Sequence, residues 1–265
     1  MDEHEVYPNA PVVLVAFELR HPATESLSPS ETRATKEMLA RYTPIARNAQ
    51  STQMQLSLAP AASAQASTTE HFPRLVSRDS TLAISFRREA LVVETSAYPG
   101  WDAFGEIVAD AISARMRVSP LDGVERVGLR YIDEVRVPGA TVPDWSDWID
   151  DSLLGPRPKE HVDLLLSEWQ GVSLFGSQPG RAMLLRYGTA TGFAVDPQSE
   201  LRRTNKAQGG GPFFLLDIDS FWTPEGSVPE IETATLGELC DELHRPVRRL
   251  FEGLIKDRLR EEVFR

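Results

Sequence analysis

The residues of this chain best placed to do chemistry are two aspartates in an otherwise apolar stretch, Phe213-Phe214-Leu215-Leu216-Asp217-Ile218-Asp219. In an extended strand that spacing turns Asp217 and Asp219 to the same face. Paired carboxylates can coordinate Mg²⁺ or share a proton. A metal site wants a third carboxylate or a histidine, and the sequence puts none beside them. The plainer reading is a solvent-facing pair with Leu216 and Ile218 turned inward. A second segment, Arg130-Tyr131-Ile132-Asp133-Glu134, sets Arg130, Ile132 and Glu134 on one strand face and Tyr131 and Asp133 on the other. The planar fork of Arg130 could clamp a carboxylate or phosphate. The competing reading pairs Arg130 with Glu94 on a neighbouring strand, where the two would hold register. No catalytic set is assigned. Its candidates, were there one, are Asp217, Asp219 and Arg130. The candidate ligand-binding set is Arg130, Tyr131, Asp133, Glu94 and Asp217, with no metal and no cofactor expected.

Other chemistry-bearing residues read as structural. Five histidines, at 4, 21, 71, 161 and 244, show no metal-ligand spacing, and His244 reads as a surface residue of the last helix. Cys240 falls beside an apolar stripe and reads as packing. Gly209-Gly210-Gly211 precedes a strand, whereas phosphate loops follow one and open a helix. Of two basic clusters, Arg202-Arg203-Thr204-Asn205-Lys206 could touch nucleic acid or an acidic partner. The other, around Arg245 to Arg260, is interleaved with acids and reads as a salt-bridged solvent face.

The elements that must position these residues follow from periodicity. Val12 to Arg20 reads as a strand that cannot start earlier, because Pro8 and Pro11 precede it. Ser28-Pro29-Ser30-Glu31 predicts a helix start, with helix formers to about Asn48 and a doubtful last turn at Pro44. Residues 59–70 are small and polar and read as a mobile loop. Leu82, Ile84 and Phe86 alternate as a strand, Leu91 to Ser96 returns after a turn, and Pro99-Gly100 ends it. Phe104, Ile107, Val108, Ala111, Ile112 and Met116 then mark one helical face. Strands are expected over Val124 to Val137, Met183 to Tyr187 and Phe213 to Asp219, and a short helix over His161 to Trp169. Residues 196–212 read as a mobile hairpin loop. The closing helix should start at a capping box, Thr235-Leu236-Gly237-Glu238, and kink or restart at Pro246.

These elements repeat in order. Val12–Arg20 corresponds to Val124–Val137, Leu82–Phe86 to Met183–Tyr187, Leu91–Tyr98 to Phe213–Trp222, and the helix after Trp101 to the helix after Thr235. The expected fold is α+β, a mostly antiparallel sheet from two similar βββα units, residues 1–120 and 121–265, with helices on one face.

Composition bounds the function. The chain has 265 residues, 28 basic and 39 acidic, for a formal charge of −11. That balance argues against nucleic acid as a partner, and an RNA-binding role would need exposed aromatics beside Arg202 and Arg203. One cysteine and an acidic N-terminus fit a reducing cytoplasm, and the longest apolar run is far short of a bilayer span.

Tyr7-Pro8-Asn9-Ala10-Pro11, Phe17-Glu18-Leu19-Arg20, Tyr98-Pro99-Gly100-Trp101-Asp102-Ala103-Phe104 and Leu129-Arg130-Tyr131-Ile132-Asp133 together resemble a sporadically distributed bacterial family of unassigned function. The resemblance spans nearly the whole chain, including Leu216-Asp217-Ile218-Asp219 and Phe251-Glu252. That family's pattern usually carries Asn at the place of Asp133 and Leu at that of Val12. It implies a single intracellular module and brings no catalytic residues. The expectation is a non-catalytic intracellular binding module for a protein partner or a small ligand. An enzyme, a hydrolase or nucleotide-processing protein using the acidic/Arg cluster in the sheet concavity, is the alternative. An enzyme or sensor should close a polar pocket around those residues, whereas an interaction module should show an apolar patch or a free strand edge. A sheet edge could also serve a homodimer.

Overall fold

A computed structural model describes residues 7–55, 66–139, 143–156, 166, 168–204, 210–230 and 232–265. Nine strands form one antiparallel sheet: β1 (Val12–Arg20), β2 (Ile45–Gln55), β3 (Ala66–Val76), β4 (Leu82–Phe86), β5 (Ala90–Thr95), β6 (Arg126–Val135), β7 (Gln170–Gln178), β8 (Arg181–Thr191) and β9 (Pro212–Trp222). Their spatial order is β2-β3-β4-β5-β1-β6-β9-β8-β7. The fold is therefore α+β. The halves contribute five and four strands rather than three each, because β2, β3 and β7 carry no clean apolar alternation and escape a reading by period.

Among the described residues three helices of ten residues or more complete the frame: α1 (Pro29–Met38), α2 (Trp101–Val118) and α3 (Thr233–Leu254). α1 starts where expected, with a reciprocal capping box between Ser28 and Glu31 and Pro29 in its first turn. It stops at Met38, not Asn48. The residues after Pro44 extend as β2, since proline disfavours helix in the residue before it. Gly100 turns the chain into α2 at φ +96, a conformation that suits glycine. α3 follows Glu232, whose side chain makes no capping bond to the backbone. Thr235 lies inside the first turn and donates to the Glu232 carboxylate at 3.2 Å, so it makes no capping box, and the helix runs unbroken through Pro246.

Two further expectations, a loop over residues 59–70 and a short helix over His161 to Trp169, meet the structure only in part. Ala66–Glu70 belongs to β3, and residues 56–65 lie outside the described residues. Most of His161–Trp169 lies outside them too, and Leu166, Glu168 and Trp169 are not helical. No helix among the described residues is long and apolar enough to cross a membrane.

Helices α2 and α3 cover one sheet face. Val15, Phe17 and Leu19 of β1, Val127, Leu129 and Val135 of β6, and Phe214, Leu216 and Ile218 of β9 point to them and are buried. The chain ends are tied together beside this core. The Tyr7 hydroxyl donates to the Glu252 carboxylate at 3.0 Å, Asn9 N–H donates to the Phe264 carbonyl, and the Tyr7 and Phe264 rings pack at 5.4 Å. Tyr7 and Asn9 thus fasten the N-terminal side of β1 to the C-terminal side of α3.

Candidate binding face

The alternate residues of the central strands face away from the helices, and on β6 and β9 half of them are charged: Arg126, Arg130, Glu134, Asp217 and Asp219. Register fixes their neighbours: Arg130 lies across from Ala16 on β1 and Asp219 on β9, and Asp217 lies across from Ile132 and Arg186. Arg130 reaches diagonally to Asp217 in a two-pronged pair, Nε to Oδ1 and Nη2 to Oδ2, both 2.7 Å. Arg186 Nη1 approaches the same carboxylate at 3.3 Å. The Asp217 side chain is 5% exposed, but the two arginine side chains above it are 44% and 42% exposed. The bond to Asp217 raises the Arg130 pKa further, so it is permanently cationic.

Next to this cluster, Arg126 bridges Asp219 at 2.9 Å and Glu18 at 2.8 Å, with its guanidinium over the Phe221 ring. Glu18 also accepts from Arg20 at 2.8 Å. The face is thus floored by an alternating chain of guanidiniums and carboxylates.

One end of the face is walled by the β8–β9 connection. Its described part is tethered: Arg202 N–H donates to the Ser80 carbonyl at 2.7 Å, the Ser96 hydroxyl donates to the Arg202 carbonyl, and the Thr204 hydroxyl donates to the Ser96 carbonyl. The anchor is Glu134. Its buried carboxylate accepts from the Ala194 N–H at 2.9 Å and from Arg136 and Arg203. Burial alone would raise the Glu134 pKa, but those donors outweigh it and hold the carboxyl below its usual range.

Several expectations change here. Arg130 pairs with Asp217 and not with Glu94, because β1 lies between β6 and β5 and sets Ala16 between the two residues. Glu94 is instead 2.9 Å from Arg74 on β3's side of the sheet. The five-residue ligand set does not converge. Arg130, Asp217 and Glu94 share the open face, whereas Tyr131 and Asp133 lie buried under the helices. There the Tyr131 hydroxyl sits 2.9 Å from His244 Nδ1 and 3.3 Å from the Tyr98 hydroxyl, and the His244 ring stacks on Trp101 at 4.5 Å. His244 is accordingly no surface residue, and burial pushes its pKa down to about 4. Asp133 accepts no hydrogen bond among the described residues, and burial, with the nearby Asp217 charge, raises its pKa to about 8. Cys240 packs in the core, its thiol pushed up to about 12 by burial.

Arg126, Arg186 and Glu18 are site residues that reading by motif passes over. Their signal is alternation itself: each is a charged residue on the same strand parity as Arg130 or Asp217. Asp217 and Asp219 each meet a guanidinium where a metal site would place another ligand. Three clefts, of about 320, 230 and 680 Å³, are lined mostly by residues of the helices, and none includes Arg130, Asp217 or Asp219. A scan of protein-family models gave no match to this chain, and a search of curated proteins gave none either.

Proposed function

We propose that the chain is a non-catalytic binding module that receives carboxylate groups of a protein partner on the open sheet face. The observation that carries this is the sharing of one buried carboxylate, Asp217, by two half-exposed guanidiniums. Arg130 and Arg186 together bring one positive charge more than Asp217 neutralises, and each has more N–H donors than its contact with Asp217 uses. The buried carboxylate pre-orients the forks, which lowers the cost of ordering them when an anion arrives. What weighs against the hydrolase alternative is that the oxygens of Asp217 and Asp219 already accept hydrogen bonds from Arg130 and Arg126, at the places where a metal ion or a substrate proton would have to sit. The two halves also fit an approximate internal duplication, in which β1, β4, β5 and α2 take places matching β6, β8, β9 and α3 about the β1–β6 junction.

The test is fluorescence anisotropy of a labelled oligoglutamate peptide titrated with the full chain. Saturable binding that weakens with added salt and falls about tenfold in Arg186→Gln is the expected result. Arg186 makes the longer contact to Asp217, so this variant spares the two-pronged pair. Absence of binding, or equal affinity in Arg186→Gln and the parent, would overturn the reading.

A further inference from the structure

The sheet has two edges, and they are built differently. β2 carries Arg47 on the outermost strand, whereas β7, Gln170-Gly171-Val172-Ser173-Leu174-Phe175-Gly176-Ser177-Gln178, has no charge and no proline. One residue in four of the whole chain is charged, so a nine-residue edge with none is the exception. Protein edges are ordinarily blunted by lysine, proline or shortness, since free N–H and C=O groups recruit other strands. Val172 and Leu174 on β7 are also 67% and 69% exposed, and Phe175 is 43% exposed on the opposite face.

We propose that β7 is the interface of a homodimer, paired antiparallel with β7 of a second copy about a two-fold axis at Ser173. In that register Val172 of each copy lies opposite Leu174 of the other. Within one chain Leu184 lies across from Leu174, and Arg186 across from Val172. Each row therefore runs Leu184, Leu174, then Val172 of the second copy, with a guanidinium from Arg186 closing it. Six apolar side chains meet on the open face, with Arg186 of each copy at one end of each row. The other face fits as well. Phe175 falls opposite Gly171 of the second copy, where the Tyr187 ring already occupies the space that a Cβ would take, so the two rings become neighbours. Moving the axis one residue to Leu174 would set Val172 against Gly176 and lose both matches. The irregularity of β7, between Gly176 and Gln178, lies at the far end of the strand from this axis.

A second copy is the occupant that these residues fit. The strand is uncharged, so two chains of net charge −11 can approach edge to edge without like charges at the contact. Its apolar pattern is complementary to itself, as an isologous interface requires. The two-fold also joins two nine-stranded sheets into one, with all helices on one side and both arginine clusters on the other. The proposal does not depend on what those clusters bind.

Sedimentation equilibrium of the full chain tests it, with Val172→Lys, Leu174→Glu and the double variant Val172→Lys/Leu174→Glu. The parent should have twice the 29.5 kDa chain mass at tens of micromolar. Each single variant should shift to the monomer by at least tenfold in dissociation constant, because a charge then faces an apolar side chain. The double variant should dimerise again, because the introduced lysine of each copy then faces the introduced glutamate of the other. A monomeric parent, or dimers in both single variants, overturns the proposal. So does a double variant that stays monomeric, since it removes the register on which the complementarity rests.

Discussion

Asp133 and Glu134 are consecutive residues of one strand, both buried, and their carboxyl groups behave in opposite ways. Asp133 turns under the helices, accepts no hydrogen bond among the described residues, and has its pKa lifted to about 8. Glu134 turns to the open face, where Arg203, the Ala194 N–H and Arg136 hold it ionised. Burial raises both. What separates them is the set of donors that each side of the sheet supplies. A strand's two-residue period thus divides a neutral polar interior from an ion-paired surface within a single step of chain.

The largest effect that this contrast predicts comes from Asp133. Its folded pKa lies above its unfolded one, so its contribution to stability is complete below about pH 4 and is lost as pH rises toward about 8. Relative to Asp133→Asn, which stays neutral throughout, the parent should lose about 4 kcal/mol of stability between about pH 4 and pH 7. Urea unfolding of both proteins across that range measures it. His244 titrates the other way, its depressed pKa removing stability as pH falls from about 6.5 toward about 4, but it is common to both proteins and cancels in the difference. A difference that stays flat with pH would mean that Asp133 is solvated or partnered after all.

Glu134 should show the mirror image at smaller size. Arg203→Met leaves its buried carboxylate with Arg136 and one N–H, and should cost about 2 kcal/mol at pH 7. The folded pKa of Glu134 is depressed, so the stabilisation is present above about pH 4.5 and disappears as pH falls through the folded value. Parent and variant should therefore converge in acid. An equal gap at pH 3 and pH 7 would assign the loss to the packing of Arg203 on Phe193, whose ring lies 5.0 Å from the guanidinium.

Much of the frame can be read from alternation and helical spacing, because β1 and α2 bury one regular face and β4, β5, β6, β8 and β9 each carry apolar residues at alternate positions facing the helices. β2 begins Ile45-Ala46-Arg47-Asn48, polar on both sides, and β7 is interrupted by glycines, so neither carries a period. The same rule explains what is legible at the candidate site. Parity places Asp217 with Asp219, and Arg130 apart from Tyr131 and Asp133. Partnership is hidden, because which carboxylate Arg130 meets depends on strand order, and strand order is set by contacts between residues far apart in sequence. Glu94 lies two strands away from Arg130, about 10 Å in the sheet, whereas Asp217 is on the adjacent strand. His244 escapes the sequence for a similar reason: its charged neighbours on α3 suggest solvent, while its own ring fills the gap between Trp101 and Tyr131.

The smallest effect separates the two arginines that share Asp217. Arg130 makes the two-pronged pair and Arg186 the longer single contact, yet both are nearly half exposed, so solvent screens much of either interaction. Arg130→Gln should cost about 1 kcal/mol, since it strips the main partner from a carboxylate that is itself buried. Arg186→Gln should cost less than about 0.5 kcal/mol. Thermal or urea unfolding at pH 7 orders them. If the order holds while Arg186→Gln still weakens oligoglutamate binding, the Arg186 guanidinium matters more to an incoming anion than to the fold. If Arg186→Gln destabilises as much as Arg130→Gln, both cations are committed to Asp217, and the open face holds a closed structural ladder with nothing left over to bind.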